Sequence, residues 1–193
     1  MAIKKKKIEI HLLLILCIGI GCSSNNNFLN MIINKRDSTN VNFERGKENW
    51  EKRANKNNIY ESLKYLTKAI NENGENLERS KLMSQACHFT AEYIEDDETK
   101  SDSLYLLGKD TAWSFITKTD SYIEGFNKFS GDLDGKKIAG IDNISENDIE
   151  VLFWWVKNYV SFIANKPVTE RLSAREEIET ALYKILSQKP DFY

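Results

Sequence analysis

Apolar positions recur along most of the chain at helical spacing. Ile59, Leu63, Leu66 and Ile70 follow one another by four, three and four residues, which places them on one face of a helix. Gly74 lies just past that run, where a C-terminal cap favours glycine. Leu82, Ala86, Phe89 and Tyr93 repeat the spacing and predict a second such helix. The acidic run Glu95-Asp96-Asp97-Glu98 interrupts it. A further helix is predicted over about 99–116, carrying Leu104, Leu107, Trp113 and Phe115. Gly108 in its middle costs about 1 kcal/mol relative to alanine, and a close helix crossing would account for it. Upstream, 44–54 can form a helix with Trp50 on its buried face, followed by a turn over 55–58.

The second half reads differently. Residues 117–147 hold Gly125, Gly131, Gly135 and Gly140, so this stretch is expected to be the least regular, with one short helix around 122–129. Ser145 and Asp148 have the spacing of a capping box. The helix they would open, 149–164, is apolar nearly all round, with Val151, Leu152, Phe153, Trp154, Trp155, Val156 and Tyr159, which marks an enclosed central helix. Asn165-Lys166-Pro167 stops it. Ser173 and Glu176 give a second capping-box spacing before the stripe Ile178, Ala181, Leu182, Ile185 and Leu186. The sum is about seven helices in successive hairpins over 43–193. The expected class is all-α, with helical hairpins stacked as a tetratricopeptide-like array.

The amino terminus has its own pattern. Lys4 to Lys7 are followed by the apolar run Leu12-Leu13-Leu14-Ile15-Leu16-Cys17-Ile18-Gly19-Ile20, too short for a membrane span of about 20 apolar residues. A small residue, Gly21, then stands directly before Cys22. This arrangement resembles a lipobox, which implies cleavage before Cys22 and a diacylglycerol on its thiol. Ile20 departs from the usual Ala or Ser, as spirochaete-type lipoboxes often do. An ordinary cleaved leader is the competing reading. Ser23-Ser24-Asn25-Asn26-Asn27 favours the lipoprotein, because it suits a flexible tether. The expected layout is a signal peptide at 1–21, a lipidated tether and docking segment at 22–42, and the helical domain at 43–193. The expected location is the periplasmic face of a membrane, inner or outer.

Composition narrows the chemistry. The formal net charge is −2, and the leader's lysines contribute part of the positive charge. An acidic chain without a basic block is a poor nucleic-acid binder. With Cys17 in the leader and Cys22 lipidated, Cys87 is the one free thiol, and His88 is the one histidine outside the leader. These two are adjacent, and helix neighbours do not face each other, so a nucleophile–base pair is unfavourable. Cys87 reads as a small core residue and His88 as a partly exposed polar one, and zinc lacks ligands. Asp132-Leu133-Asp134-Gly135 hints at a calcium loop. Aligning its glycine puts Ser130 and Ile141 at ligand positions, which favours a solvated turn. The acidic run 95–98 reads as a solvated face favouring the next helix's N-terminus. No metal and no cofactor is expected.

Several stretches also carry a family likeness. Tyr60-Glu61-Ser62-Leu63-Lys64-Tyr65-Leu66-Thr67-Lys68-Ala69-Ile70 looks like the second helix of a tetratricopeptide repeat, with Ala69 at a usual small position. The preceding helix has Trp50 but no clear small-residue partner. Three further stretches follow in order: Ala91 to Asp97 leading to Ser103 to Asp110; Val151-Leu152-Phe153-Trp154; and Ala181-Leu182-Tyr183 leading to Pro190-Asp191-Phe192-Tyr193. In this order they resemble the T component associated with TRAP transporters, a family of tetratricopeptide-like periplasmic lipoproteins. The resemblance covers roughly 43–193. It implies a lipid-anchored helical scaffold that binds a periplasmic partner, the solute-binding subunit of a TRAP-type transporter. Family members continue with further helices after the Asp-aromatic-Tyr turn, so a shortened member is implied.

Two other functions compete. Phe153, Trp154, Trp155 and Tyr159 have the character of core packing, yet one side of their helix could wall a cavity for a small hydrophobic ligand, which would make the protein a carrier. An enzyme ranks last, because no nucleophile, base and oxyanion set can be assembled from the sequence.

Overall fold

The computed structural model describes residues 41–191. The chain divides into two units, Met1–Val41 and Asn42–Tyr193, and all that follows concerns the second. Every regular element among the described residues is helical. The helices are α1 (41–51), α2 (Lys56–Asn73), α3 (Leu77–Tyr93), α4 (Glu98–Ile116), α5 (Asp120–Lys128), α6 (Leu133–Asp142), α7 (Ile149–Ile163) and α8 (Val168–Gln188), with a 3₁₀ turn at Glu146–Asp148 before α7. No helix among the described residues is long and apolar enough to cross a membrane.

Side-chain caps explain most of the helix starts. Asn55, Asn76, Asp97, Thr119 and Asp132 each accept a bond from a backbone N–H of the first turn that follows. Gly74 ends α2 at φ 73°, and its N–H donates to the Ile70 carbonyl, as its place after the stripe leads one to expect. Two expected capping boxes take other forms. The Ser145 hydroxyl donates to the Asp148 carboxylate at 2.7 Å, a side-chain bond, and caps no backbone N–H. Ser173 lies inside α8 and donates to the Glu170 carbonyl at 2.8 Å, because α8 already begins at Val168, directly after Pro167.

The helices pair as hairpins, α1 with α2, α3 with α4 and α7 with α8, and these stack in order. The α5/α6 hairpin is inserted between the second and third, so α4 packs directly on α7 while α6 packs on α8. One apolar cluster joins α1, α2 and α3 through Phe43, Leu63, Leu66, Ala69, Leu82, Met83, Ala86 and Cys87. The other surrounds α7, with Ala112 and Ile116 from α4, Tyr122 from α5, Ile141 from α6 and Ile178, Ala181 and Ile185 from α8. The enclosed character expected of α7 is present: Ile149, Val151, Leu152, Phe153, Trp155 and Val156 are buried.

Two crossings use the same device. In the first hairpin Gly46 faces α2: a Cβ there would stand 2.8 Å from Leu66 Cδ2, and the Ser62 hydroxyl donates to the Gly46 carbonyl at 2.8 Å. Gly46 is therefore the small residue of α1 that the sequence reading did not find. In the second, the Ser84 hydroxyl of α3 donates to the Gly108 carbonyl of α4 at 2.8 Å. A Cβ at Gly108 would lie 2.5 Å from Asn158 Oδ1 of α7, which bears out the close crossing expected there. Asn158 closes the junction by donating to the carbonyls of Ser84, at 3.0 Å, and Trp154, at 2.8 Å.

Other features of the helices differ from what the sequence pattern predicts. The stretch 117–147 is regular, and it contains α6, which was not foreseen. Its glycines serve packing: a Cβ at Gly125 would stand 2.4 Å from the Ala139 carbonyl of α6. On α4 the buried row is Tyr105, Gly108, Ala112 and Ile116, whereas Leu107 is exposed. Tyr93, expected inward, is 69 % exposed at the end of α3.

Candidate functional site

Cys22, the expected lipidation site, lies outside the described residues. The four aromatic candidates all lie on α7, and the structure divides them between two sides. Adjacent helix positions point about 100° apart, so Trp154 and Trp155 face different neighbours. Trp155, 2 % exposed, stacks on Trp113 of α4 at 5.0 Å between ring centres, and Tyr159 tilts against it at 5.3 Å. Trp154 is half-buried and meets Phe153 edge-on at 5.1 Å and His88 of α3 at 5.9 Å. No single aromatic wall is built from all four.

Trp155 and Tyr159 do border a cleft. Four helices form it: Lys109 and Trp113 come from α4, Lys137 from α6, Trp155 and Tyr159 from α7 and Glu177 from α8, around a space of about 180 Å³. Its floor is aromatic and its mouth is charged. The Lys109 ammonium stands 5.1 Å from the centre of the Tyr159 ring, within cation–π range. Lys137 bridges Asp134 at 3.2 Å and Glu177 at 3.6 Å, and the hydrogen bond it donates to the Asp134 carboxylate is the main cause holding its ammonium above the usual lysine range. Burial, with the Glu177 charge second, raises the Tyr159 phenol and pushes that of Tyr122 up to about 12. Both phenols stay neutral hydrogen-bonding groups at any physiological pH. Lys109, Lys137 and Glu177 carry no sequence signal of a site, and Trp113 reads from sequence only as an apolar position of its helix. They converge only through the α4–α7 and α6–α8 contacts, which no local pattern encodes.

A second, larger groove of about 530 Å³ runs between α6 and α8. Phe129, Ile138, Ala139 and Tyr183 give it an apolar lining, with Asp142 and Glu176 at its edge.

Cys87 and His88 are both buried. Cys87 is wholly buried, as a core residue should be, and burial pushes its thiol up to about 12, so it is not a nucleophile at neutral pH. His88 is not the partly exposed residue the sequence suggested. It is 6 % exposed, set between Tyr105 at 5.5 Å and Trp154 at 5.9 Å, because α3 is covered by both α4 and α7 at this level. Its Nδ1 has no hydrogen-bond partner in the protein. Burial, reinforced by the Lys157 charge and opposed by Glu92, lowers it to about 4. Tyr105 donates to the Glu92 carboxylate at 2.6 Å.

The acidic features serve helix starts. Asp97 Oδ1 accepts from the N–H groups of Thr99 and Lys100, and Asp132 Oδ1 from that of Gly135. Glu95 accepts from the Tyr60 hydroxyl at 3.0 Å, tying the α3–α4 turn to α2.

In comparisons with family models, curated proteins and solved structures, the chain matches none.

Proposed function

We propose that this chain is a lipid-anchored helical-repeat scaffold, held at the periplasmic face of a membrane through Cys22, which binds the solute-binding subunit of a TRAP-type transporter. It works by assembly and not by catalysis. The observation that carries this reading is the stack of hairpins α1/α2, α3/α4 and α7/α8, since hairpins in series form extended surfaces suited to binding another protein. The leader and the Gly21-Cys22 pair support export and anchoring. The choice of partner rests on the ordered likeness of 60–70, 91–110, 151–154 and 181–193 to the T component of that transporter class.

The test uses the chain from Ser23 onward, immobilised and exposed to periplasmic extract of the source organism. Specific retention of a solute-binding protein is the expected result. Retention of nothing, together with a lipid or fatty acid found inside the purified domain, would replace the scaffold with the carrier.

One observation favours that second reading, namely the aromatic floor that Trp113, Trp155 and Tyr159 form. At about 180 Å³ the cleft is below the roughly 300–1,000 Å³ of sites that enclose a drug-sized ligand. The α6/α8 groove of about 530 Å³ falls within that range, but none of Phe153, Trp154, Trp155 and Tyr159 lines it, so the carrier built on those aromatics ranks second.

A further inference from the structure

The buried face of α8 is its Ala174, Ile178, Ala181 and Ile185 row. A second row on the same helix stays largely exposed, only Tyr183 bordering the groove with α6. Val168, Leu172, Tyr183 and Leu186 are 57 %, 62 %, 73 % and 49 % exposed. Single exposed hydrophobes need no explanation, but two exposed apolar pairs on one face of a helix, with an ion pair between them, make a patterned surface. Between the two apolar pairs lie Arg175 and Glu179, both exposed, with Arg175 Nε 2.7 Å from Glu179 Oε1. The order along the helix is apolar, apolar, Arg, Glu, apolar, apolar. At 100° per residue these six positions fall within an arc of about 80° and extend over about 27 Å.

This row is nearly palindromic in spacing and complementary in charge. Reversed about the midpoint between Arg175 and Glu179, Val168 falls opposite Leu186 and Arg175 opposite Glu179, while Leu172 falls one residue, about 1.5 Å, short of Tyr183. A twofold interface must be self-complementary in this sense, since each residue meets its symmetry mate's counterpart. The same helix paired in parallel would set Arg175 on Arg175 and Glu179 on Glu179, which is unfavourable. We propose that the outer face of α8 is a docking surface for a second copy of this chain, paired antiparallel about a twofold axis between Arg175 and Glu179. At the centre two Arg–Glu pairs become four alternating charges, and each end is closed by apolar contacts. One helix face of this length buries less than the roughly 800 Å² per partner of a standard interface, so the pairing is weak and is best trapped covalently.

The experiment uses the full chain in intact cells. Two differently tagged copies are made together, one carrying Leu172→Cys and the other Tyr183→Cys, and mild oxidation is applied. Cys87 is buried and does not compete, and the chain without an added cysteine is oxidised in parallel so that any disulfide through Cys17 or Cys22 is subtracted. The expected product is a disulfide between the two variants, with neither variant alone giving a dimer. Placing Arg175→Glu in both copies should lower the yield at least several-fold, and adding Glu179→Arg should restore it. Disulfides between like variants, no disulfide at all, capture of a different protein by either variant, or a yield indifferent to charge reversal would each overturn the proposal. The outcome is independent of what the scaffold binds, because it reads only contacts between copies.

Discussion

At the residue scale, His88 couples the stability of the fold to acidity. Its pKa of about 4 in the folded chain lies below the roughly 6.5 of an exposed histidine. As pH falls through about 6.5, the unfolded chain takes up a proton that the folded chain refuses, and stability declines until pH reaches about 4. Above about 6.5 both states are neutral at this position and it contributes no pH dependence. Linkage puts the loss at the order of 1–2 kcal/mol by pH 5. His88→Phe keeps a ring between Tyr105 and Trp154 and removes the titration. The drop in urea midpoint between pH 7.5 and pH 5 should be smaller in this variant than in the parent, and an unchanged drop would refute the assignment. The neighbouring tryptophans give a second test. Trp155 is 2 % exposed and Trp154 half-buried. Trp155→Ala should therefore cost about 3–5 kcal/mol and Trp154→Ala clearly less, as measured by denaturant unfolding. Equal losses would mean that both rings share one environment. The sequence foretold an enclosed helix here because apolar residues circle it. Which ring is buried, and that His88 lies against one of them, depends on contacts with α3 and α4 that are remote in sequence.

At the element scale, the legible helices were those whose core face is a single regular stripe. Helix α2 is the clearest case, since Ile59, Leu63 and Leu66 are buried and Gly74 caps the end. Helix α6 was invisible for the opposite reason. Its residues Leu133 to Asp142 include two glycines and two lysines and only two wholly buried positions, Gly140 and Ile141. Propensity disfavours it, and tertiary packing of the α5/α6 hairpin overrides propensity. On α4 the large apolar residues misled, because the α3–α4–α7 crossing selects small residues for its inner face. Gly108→Ala tests this directly. Helix propensity alone would stabilise the variant by about 1 kcal/mol. The new Cβ, however, would stand 2.5 Å from Asn158 Oδ1, and displacing that side chain breaks its bonds to the carbonyls of Ser84 and Trp154. Overpacking costs about 1–3 kcal/mol and orphaned buried carbonyls about as much. A net loss of about 1–3 kcal/mol is expected in urea unfolding. Asn158→Ala combined with Gly108→Ala should cost less than the sum of the two single changes, because the clash is then gone. A neutral or stabilising Gly108→Ala would show that the helices do not meet this closely.

At the scale of the whole molecule, the leader and the stack make separate claims. Cys22→Ala removes the proposed lipid site, so the protein should move from the membrane to the soluble fraction on detergent partitioning. Unchanged partitioning of that variant would rule out Cys22 as the anchor. The stack makes a claim about cooperativity. In an array each hairpin is stabilised mainly by its neighbours, so opening free energies should follow position. Helix α7 is packed against α3, α4 and α8 and supplies the largest share of one apolar cluster. Helix α6 touches α5 and α8 and has few wholly buried side chains. Local opening of α6 exposes little apolar surface and breaks little of the array, whereas opening α7 removes the surface on which α4 and α8 rest. Native-state hydrogen exchange should therefore find the amides of α7 exchanging only through global unfolding, with a denaturant dependence equal to that of the whole domain. Those of α6 should exchange through a smaller, nearly denaturant-independent opening. The Ser84–Gly108–Asn158 junction predicts which helices follow α7: the central amides of α3 and α4 should share its slow class, since both backbones bond at that crossing. If α6 exchanges as slowly as α7, the inserted hairpin is an integral layer of the core and not a peripheral one.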